Sequence, residues 1–215
     1  DMRSKFDEQL ALLNRDLTKM GSLCEEALAL AAKALANADG QTAAKIAPID
    51  SEIDQMERTI ESLCLKLLLQ QQPVARDLRQ ISAALKMITD MERIGDQASD
   101  IAEIIGFLNG RIGTDAQYIC QMAVAAMRMV TESVEAYVKR DVAMAEATIQ
   151  HDDVVDDLFL KVKESLIQMI SENPKDGEYA LDLLMIAKYF ERIGDHATNI
   201  AEWVVFSVTG VHEQG

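Results

Sequence analysis

Glu92-Arg-Ile-Gly-Asp-Gln-Ala-Ser-Asp-Ile-Ala-Glu103 returns ninety-nine residues later as Glu191-Arg-Ile-Gly-Asp-His-Ala-Thr-Asn-Ile-Ala-Glu202, with nine of the twelve positions identical. A near-copy at that separation in a chain of 215 residues marks an internal duplication. Each copy sits on a helical pattern. Around the first, apolar residues recur in steps of three and four at Leu78, Ile81, Leu85, Ile88, Met91, Ile94, Ala98, Ile101 and Ile105. Pro73, after Gln70–Gln72, opens this helix, and the stretch Gly106–Gly113, three glycines in eight residues, closes it.

Working outward, two more stripes precede it. Phe6, Leu10, Leu13, Leu17, Met20, Cys24, Ala27 and Ala31 form the seam of a long first helix, with Ser4 as its expected N-cap and Asp39-Gly40 as its stop. Ile46, Ile49, Ile53, Met56, Ile60, Leu63 and Leu67 form a second, in which Pro48 marks a kink or the first turn. After the glycine-rich joint the plan repeats. A fourth helix carries Cys120, Ala123, Met127, Val130, Val134 and Tyr137, a fifth Val155, Leu158, Val162 and Met169, and a sixth spans about Glu178 to Ser207. The expected fold is all-α: two tandem antiparallel three-helix bundles, residues 1–109 and 110–215, related by an approximate twofold.

Composition agrees and narrows the function. Apolar residues make up 49%, aromatics only 5%, and Gly and Pro together number 13, so the chain is rich in helix formers and poor in turns. The longest stretch free of charge, Ala116–Met127, is twelve residues, too short for a membrane span. Cys24, Cys64 and Cys120 have no paired spacing and read as reduced thiols of a cytoplasmic protein with no secretory signal. A net charge of −15 excludes a nucleic-acid partner and favours cations or basic protein surfaces.

The acidic residues are patterned. Glu92, Asp96 and Asp100 lie four apart on one helix face, as do Asp50 with Asp54, Asp152 with Asp156, Asp153 with Asp157, and Glu191 with Asp195. Like charges at that spacing cost about 0.2–0.5 kcal/mol per pair. For any one pair, a solvated face is the ordinary explanation. Gly95 and Gly194 change that reading. Both stand mid-helix, where Gly costs about 0.8–1 kcal/mol relative to Ala, and a place where a neighbouring helix or ligand approaches the backbone explains why both copies keep one. Facing stripes then bind a multivalent metal through carboxylates. Arg93 and Arg192 either orient those carboxylates from behind or form exposed pairs with Asp96 and Asp195. His196 is matched by Gln97, so a ligand role is not shared by the two sites; His151 falls where the second helix has Ile49 and reads as a satisfied histidine near the interior. Met127, Met129, Met144 and Met169 read as core filler.

No catalytic residue is assigned, because the chain lacks Glu-x-x-His, a phosphate loop, a nucleophile elbow and His-Glu-x-x-His. Gln71-Gln-Pro-Val-Ala-Arg-Asp-Leu-Arg79, Asp90-Met-Glu-Arg-Ile-Gly-Asp96 and Phe190-Glu-Arg-Ile-Gly-Asp-His-Ala-Thr-Asn-Ile-Ala-Glu202 closely resemble the PhoU family, bacterial accessory and regulatory proteins of phosphate transport. So does the opening Met2-Arg-Ser-Lys-Phe-Asp-Glu-Gln-Leu10. The resemblance implies multinuclear iron or zinc sites on Asp50, Asp54, Glu92, Asp96 and Asp100 in the first half, and on Asp152, Asp156, Glu191, Asp195 and Asn199 in the second. Asn199 carries no charge where the first copy has Asp100, and the second half lacks the Pro-Val-Ala-Arg-Asp-Leu-Arg run. The resemblance further implies a homodimeric adaptor. It would repress the phosphate-starvation response by linking a sensor histidine kinase to the ATPase subunit of a phosphate ABC transporter, meeting the membrane only through those partners. The competing reading is a carboxylate-bridged di-metal hydrolase or oxidase.

Overall fold

The computed structural model describes residues 1–70, 73–111 and 116–212. Gln71, Gln72 and Gly113, which the sequence places in loops, lie outside that set. In chain order the helices are α1 (Met2–Asn37), α2 (Gly40–Ala43), α3 (Ile46–Gln70), α4 (Ala75–Phe107), α5 (Gln117–Lys139), α6 (Val142–Gln150), α7 (Asp152–Glu172) and α8 (Gly177–Thr209), with a 3-10 turn at Pro174–Asp176. The described residues contain no strand. Six long helices thus form two repeats, α1–α3–α4 and α5–α7–α8, as the periodicity predicts.

The short α2 and α6 were not expected, and they show how closely the repeats correspond. α1 ends on Ala38 at φ 45° and α5 on Arg140 at φ 55°, both left-handed caps. An aspartate follows each. Asp39 accepts from the Gln41 N–H and Asp141 from the Met144 N–H, which starts a new short helix after each break. One expectation is corrected here. Asp1, not Ser4, caps α1, accepting from the Arg3 N–H at 3.1 Å, so Ser4 lies inside the helix. Of the two readings of Pro48, the structure has the second: it sits in the first turn of α3, where its missing N–H would have had no helical partner.

The predicted stripes are the core. Leu13, Leu17, Met20, Cys24, Ile53, Ile60, Ile81, Met91, Ile94 and Ala98 are fully buried, and Leu10 and Leu63 flank them. Leu78 is the exception, 44% exposed, while its neighbour Asp77 is buried and takes a 2.8 Å hydrogen bond from Arg3 Nη1. The repeats meet chiefly along α4 and α8, which run antiparallel: Asp90 faces His196, and Arg79 faces Gly210. α1 and α5 form a second antiparallel contact, where Gly21 lies against Val134. Each half therefore keeps its own helix pair, α3 with α4 or α7 with α8, to carry an acidic groove.

Candidate metal centres in two acidic grooves

In both repeats the mid-helix glycine is where the two helices touch. A Cβ built on Gly95 would stand 2.7 Å from Asp50 Oδ1 and 3.0 Å from Ile53 Cδ1; on Gly194 it would stand 3.2 Å from Asp152 Oδ1 and 3.3 Å from Val155 Cγ1. Asp50 and Asp152 are thus pressed against the backbone of the facing helix, and their carboxylates cannot swing freely into water.

This approach gathers the acids. Single carboxylate oxygens of Asp50, Asp54 and Asp96 lie within 4.8 Å of one another, and those of Asp152, Asp156 and Asp195 do the same. A cation with oxygen ligands at about 2.0–2.6 Å spans such a gap. Asp50 Oδ1, Asp54 Oδ1 and Asp152 Oδ1 are buried without a hydrogen-bond partner among the described residues. Carboxylate oxygens gathered in this way, some of them without a partner, are donors of the kind that a hard or borderline metal ion takes.

The electrostatics say the same thing in another form. Burial, together with Asp96 and Asp54, pushes the Asp50 carboxyl up to about 6, although a 3.0 Å hydrogen bond from Ser99 Oγ pulls the other way. Asp152 rises further, to about 7, through burial and then Asp156 and Asp195. Glu92 is raised by burial and its neighbour Asp96, and Asp100, Asp156 and Asp195 are raised chiefly by burial. Each groove resists its own full ionisation, and a proton or a cation relieves it.

Not every expected ligand converges. Asp100 lies one turn beyond the first cluster, within electrostatic reach of Asp96 and of Arg192 from the other repeat. Asn199 is directed across the repeat interface, its Nδ2 donating to Asp90 Oδ1 at 3.3 Å. His196 Nδ1 meets the same oxygen at 2.9 Å, so it joins α8 to α4. Glu191 receives Lys188 Nζ at 2.5 Å. Arg192 is exposed with its guanidinium 5.7 Å from the Tyr189 ring centre, and Arg93 is exposed without an ion pair among the described residues. His151 is not interior; it stands at the α6–α7 joint, 38% exposed, 3.5 Å from Glu132. One participant was missed. Glu57, one turn after Asp54, is raised by burial and by the charges of Asp54, Glu61 and Asp96, which places it at the edge of the first groove.

The geometry defines a class: a duplicated α-helical bundle whose two halves each present a carboxylate groove between paired helices. Comparison with known proteins resolves the class. The model of the PhoU domain matches twice, over residues 17–105 and 119–204. Over 97% of its length the chain is 36% identical to the phosphate-specific transport system accessory protein PhoU homolog of Clostridium acetobutylicum, covering 96% of that protein. The crystal structure of PhoU from Pseudomonas aeruginosa superposes with a TM-score of 0.91 at 34% identity, over 96% of this chain and all of that one. The corresponding structure of the phosphate transport system regulatory protein PhoU from Streptococcus pneumoniae gives 0.86 at 26% identity, over 97% and 99%. The chain belongs to the PhoU family.

Proposed function

We propose that this protein is an accessory and regulatory component of a phosphate-specific transport system. It acts as a cytoplasmic homodimeric adaptor that links the ATPase subunit of the phosphate ABC transporter to a sensor histidine kinase and represses the starvation response when phosphate is plentiful. The observation that carries the reading is the end-to-end PhoU match of a chain whose two halves both keep the acidic groove. No described helix is long and apolar enough to cross a membrane; association with the membrane would run through those two partners.

Metal belongs to the same reading. Asp50, Asp54 and Asp96 would hold one centre, with Glu92, Glu57 and Asp100 at its margins; Asp152, Asp156 and Asp195 would hold the other, with Glu191 beside them. A bound iron or zinc cluster supplies positive charge there, cancelling repulsion between helices and fixing their spacing. Gly95 and Gly194 let the helices come close enough, and Ser99 orients Asp50. What the kinase and the ATPase would then meet is a bundle surface of fixed shape. Two measurements test the proposal. Affinity capture of the tagged protein from phosphate-replete cells should bring down the histidine kinase and the transporter ATPase, and elemental analysis of the purified protein should find iron or zinc. Capture of neither partner removes the adaptor role. Turnover of phosphomonoesters by the metal-loaded protein would favour the hydrolase instead.

A further inference from the structure

The end of the bundle where α4 begins and α5 and α8 end carries a different charge from the rest of this acidic chain. Arg76 and Arg79 stand in the first two turns of α4, and Arg140 caps α5. Arg79 lies against the last turn of α8, its Cδ 3.4 Å from where a Cβ on Gly210 would be. Tyr137 Oη donates to the Gln80 carbonyl at 2.9 Å, which ties the end of α5 to the start of α4. The single buried acid here, Asp77, already accepts from Arg3. α4 has Val74 at its N-cap with no side-chain cap, so its first N–H groups add the positive end of a 33-residue helix.

Two details set Arg79 and Arg140 apart among the described residues. Arg79 Nε and Arg140 Nη1 are buried and have no hydrogen-bond partner among the described residues. An unmade hydrogen bond at a buried charged donor is costly. Arg140 also occupies a left-handed position, φ 55°, where Gly or Asn is the usual residue, and at the matching joint of the first repeat Ala38 serves. The backbone therefore does not require an arginine. Burial lowers the Arg140 pKa, Arg76 and Arg79 add to that, and Tyr137 and Asp77 only partly oppose it.

We propose that Arg76, Arg79 and Arg140 form a binding site for a phosphoryl oxyanion, taken up as free inorganic phosphate. Arg76 and Arg79 lie within electrostatic reach of Arg140, and such a group of guanidinium forks suits an anion with several acceptor oxygens, which pairs the unmet donors and cancels the mutual repulsion of the cations. The site lies about 25 Å along α4 from Asp96, by the helical rise, so it is separate from the metal grooves and does not rest on the adaptor reading.

Calorimetric titration of the full-length, chelator-treated protein with inorganic phosphate tests this, since stripping metal removes any phosphate bound through a cation. Saturable binding at about millimolar concentration or tighter is expected. Arg79→Gln with Arg140→Gln should weaken it about tenfold or more, with the helical circular dichroism retained. Arg76→Gln, an exposed position, serves if the double variant does not fold, and should weaken binding several-fold. Arg111→Gln, at the exposed arginine that pairs with Asp176, should change nothing. No heat up to about 10 mM phosphate, or equal binding by wild type and the arginine variants, overturns the proposal. So does binding to phosphatidic-acid vesicles without binding of free phosphate.

Discussion

The two acidic grooves share a backbone plan and differ in what fills it. In the first, Glu57 follows Asp54 at the groove edge; the matching position in the second is Phe159. In the second, Lys188 lies over the Phe159 ring at 5.3 Å and pairs with Glu191, and it counters the rise of both Asp156 and Asp195; the matching residue in the first is Thr89. Both grooves thus gather carboxylates, Asp153 and Asp157 taking part in the second where the first has Ser51 and Gln55, but the second carries an ammonium of its own. Duplication kept the helix spacing and let the charge diverge, so a cation should find the first groove much the stronger.

The largest expected effect breaks the comparison outright. Asp50→Asn, Asp54→Asn and Asp96→Asn together should abolish the tighter class of bound metal and most of the thermal stabilisation that metal gives. At about 100 times Kd that stabilisation is about 2.7 kcal/mol, or about 5–10 °C in a chain of this size. Asp152→Asn, Asp156→Asn and Asp195→Asn should remove only the weaker class. Elemental analysis and melting curves with and without chelator measure both, and equal losses would mean that the extra charges are idle.

A graft sharpens the comparison. Phe159→Glu with Lys188→Thr gives the second groove the residues of the first, and metal titration should find its affinity raised about tenfold, the equivalent of about 1.4 kcal/mol. An unchanged affinity would locate the difference elsewhere, with Asn199 the next residue to change, since its amide faces Asp90 instead of the cluster.

The features that differ between repeats are also the ones hardest to read from sequence. The helices were legible because burial imposes a period on every long amphipathic helix, and the close approach at Gly95 was legible because a second copy, Gly194, stood in the same motif. Using the duplication as a filter hides asymmetry. Glu57 and Lys188 have no acidic or basic counterpart in the other repeat, so they look like surface noise until the helices are in place. α2 and α6 escape for another reason: nothing as short as four or nine residues sets up a period, and only Asp39 and Asp141 signal them. Leu78 was misassigned because the stripe was extended to the start of α4, where the partnership of Arg3 with Asp77 decides which residue turns inward.

A smaller effect separates the grooves sterically. Gly95→Ala places a methyl group at 2.7 Å from Asp50 Oδ1 and should destabilise by about 1 kcal/mol, the helix propensity of Ala offsetting part of the overpacking. Because Asp50 must move, metal affinity should fall with it. Gly194→Ala meets its neighbours at 3.2 Å and should lie within about 0.5 kcal/mol of wild type. Denaturant midpoints of the metal-free variants decide this, and equal destabilisation would show that the tighter contact yields without cost.

The smallest effect runs against the ranking of charge. In metal-free protein Asp50 titrates near 6 and Asp152 near 7, both above the usual value for an unfolded aspartate, near 4. The folded state then holds more protons than the unfolded one between about pH 4 and pH 7, so the contribution of each is fully present below that window and is lost as pH rises through it. The melting temperature of chelated protein should therefore fall by a few degrees from pH 5 to pH 8, and saturating metal should flatten the curve. Asp152→Asn should flatten it more than Asp50→Asn, although the second groove holds Lys188, because Ser99 donates to Asp50 while the matching Thr198 hydroxyl is turned back to the Gly194 carbonyl, and because Asp153 adds its charge at Asp152. Ser99→Ala should then make the first groove behave like the second: Asp50 loses the hydrogen bond that favours its ionised form, and the pH-dependent loss should extend to higher pH. If Ser99→Ala leaves the profile unchanged, the difference between the two aspartates comes from burial and from the neighbouring carboxylates.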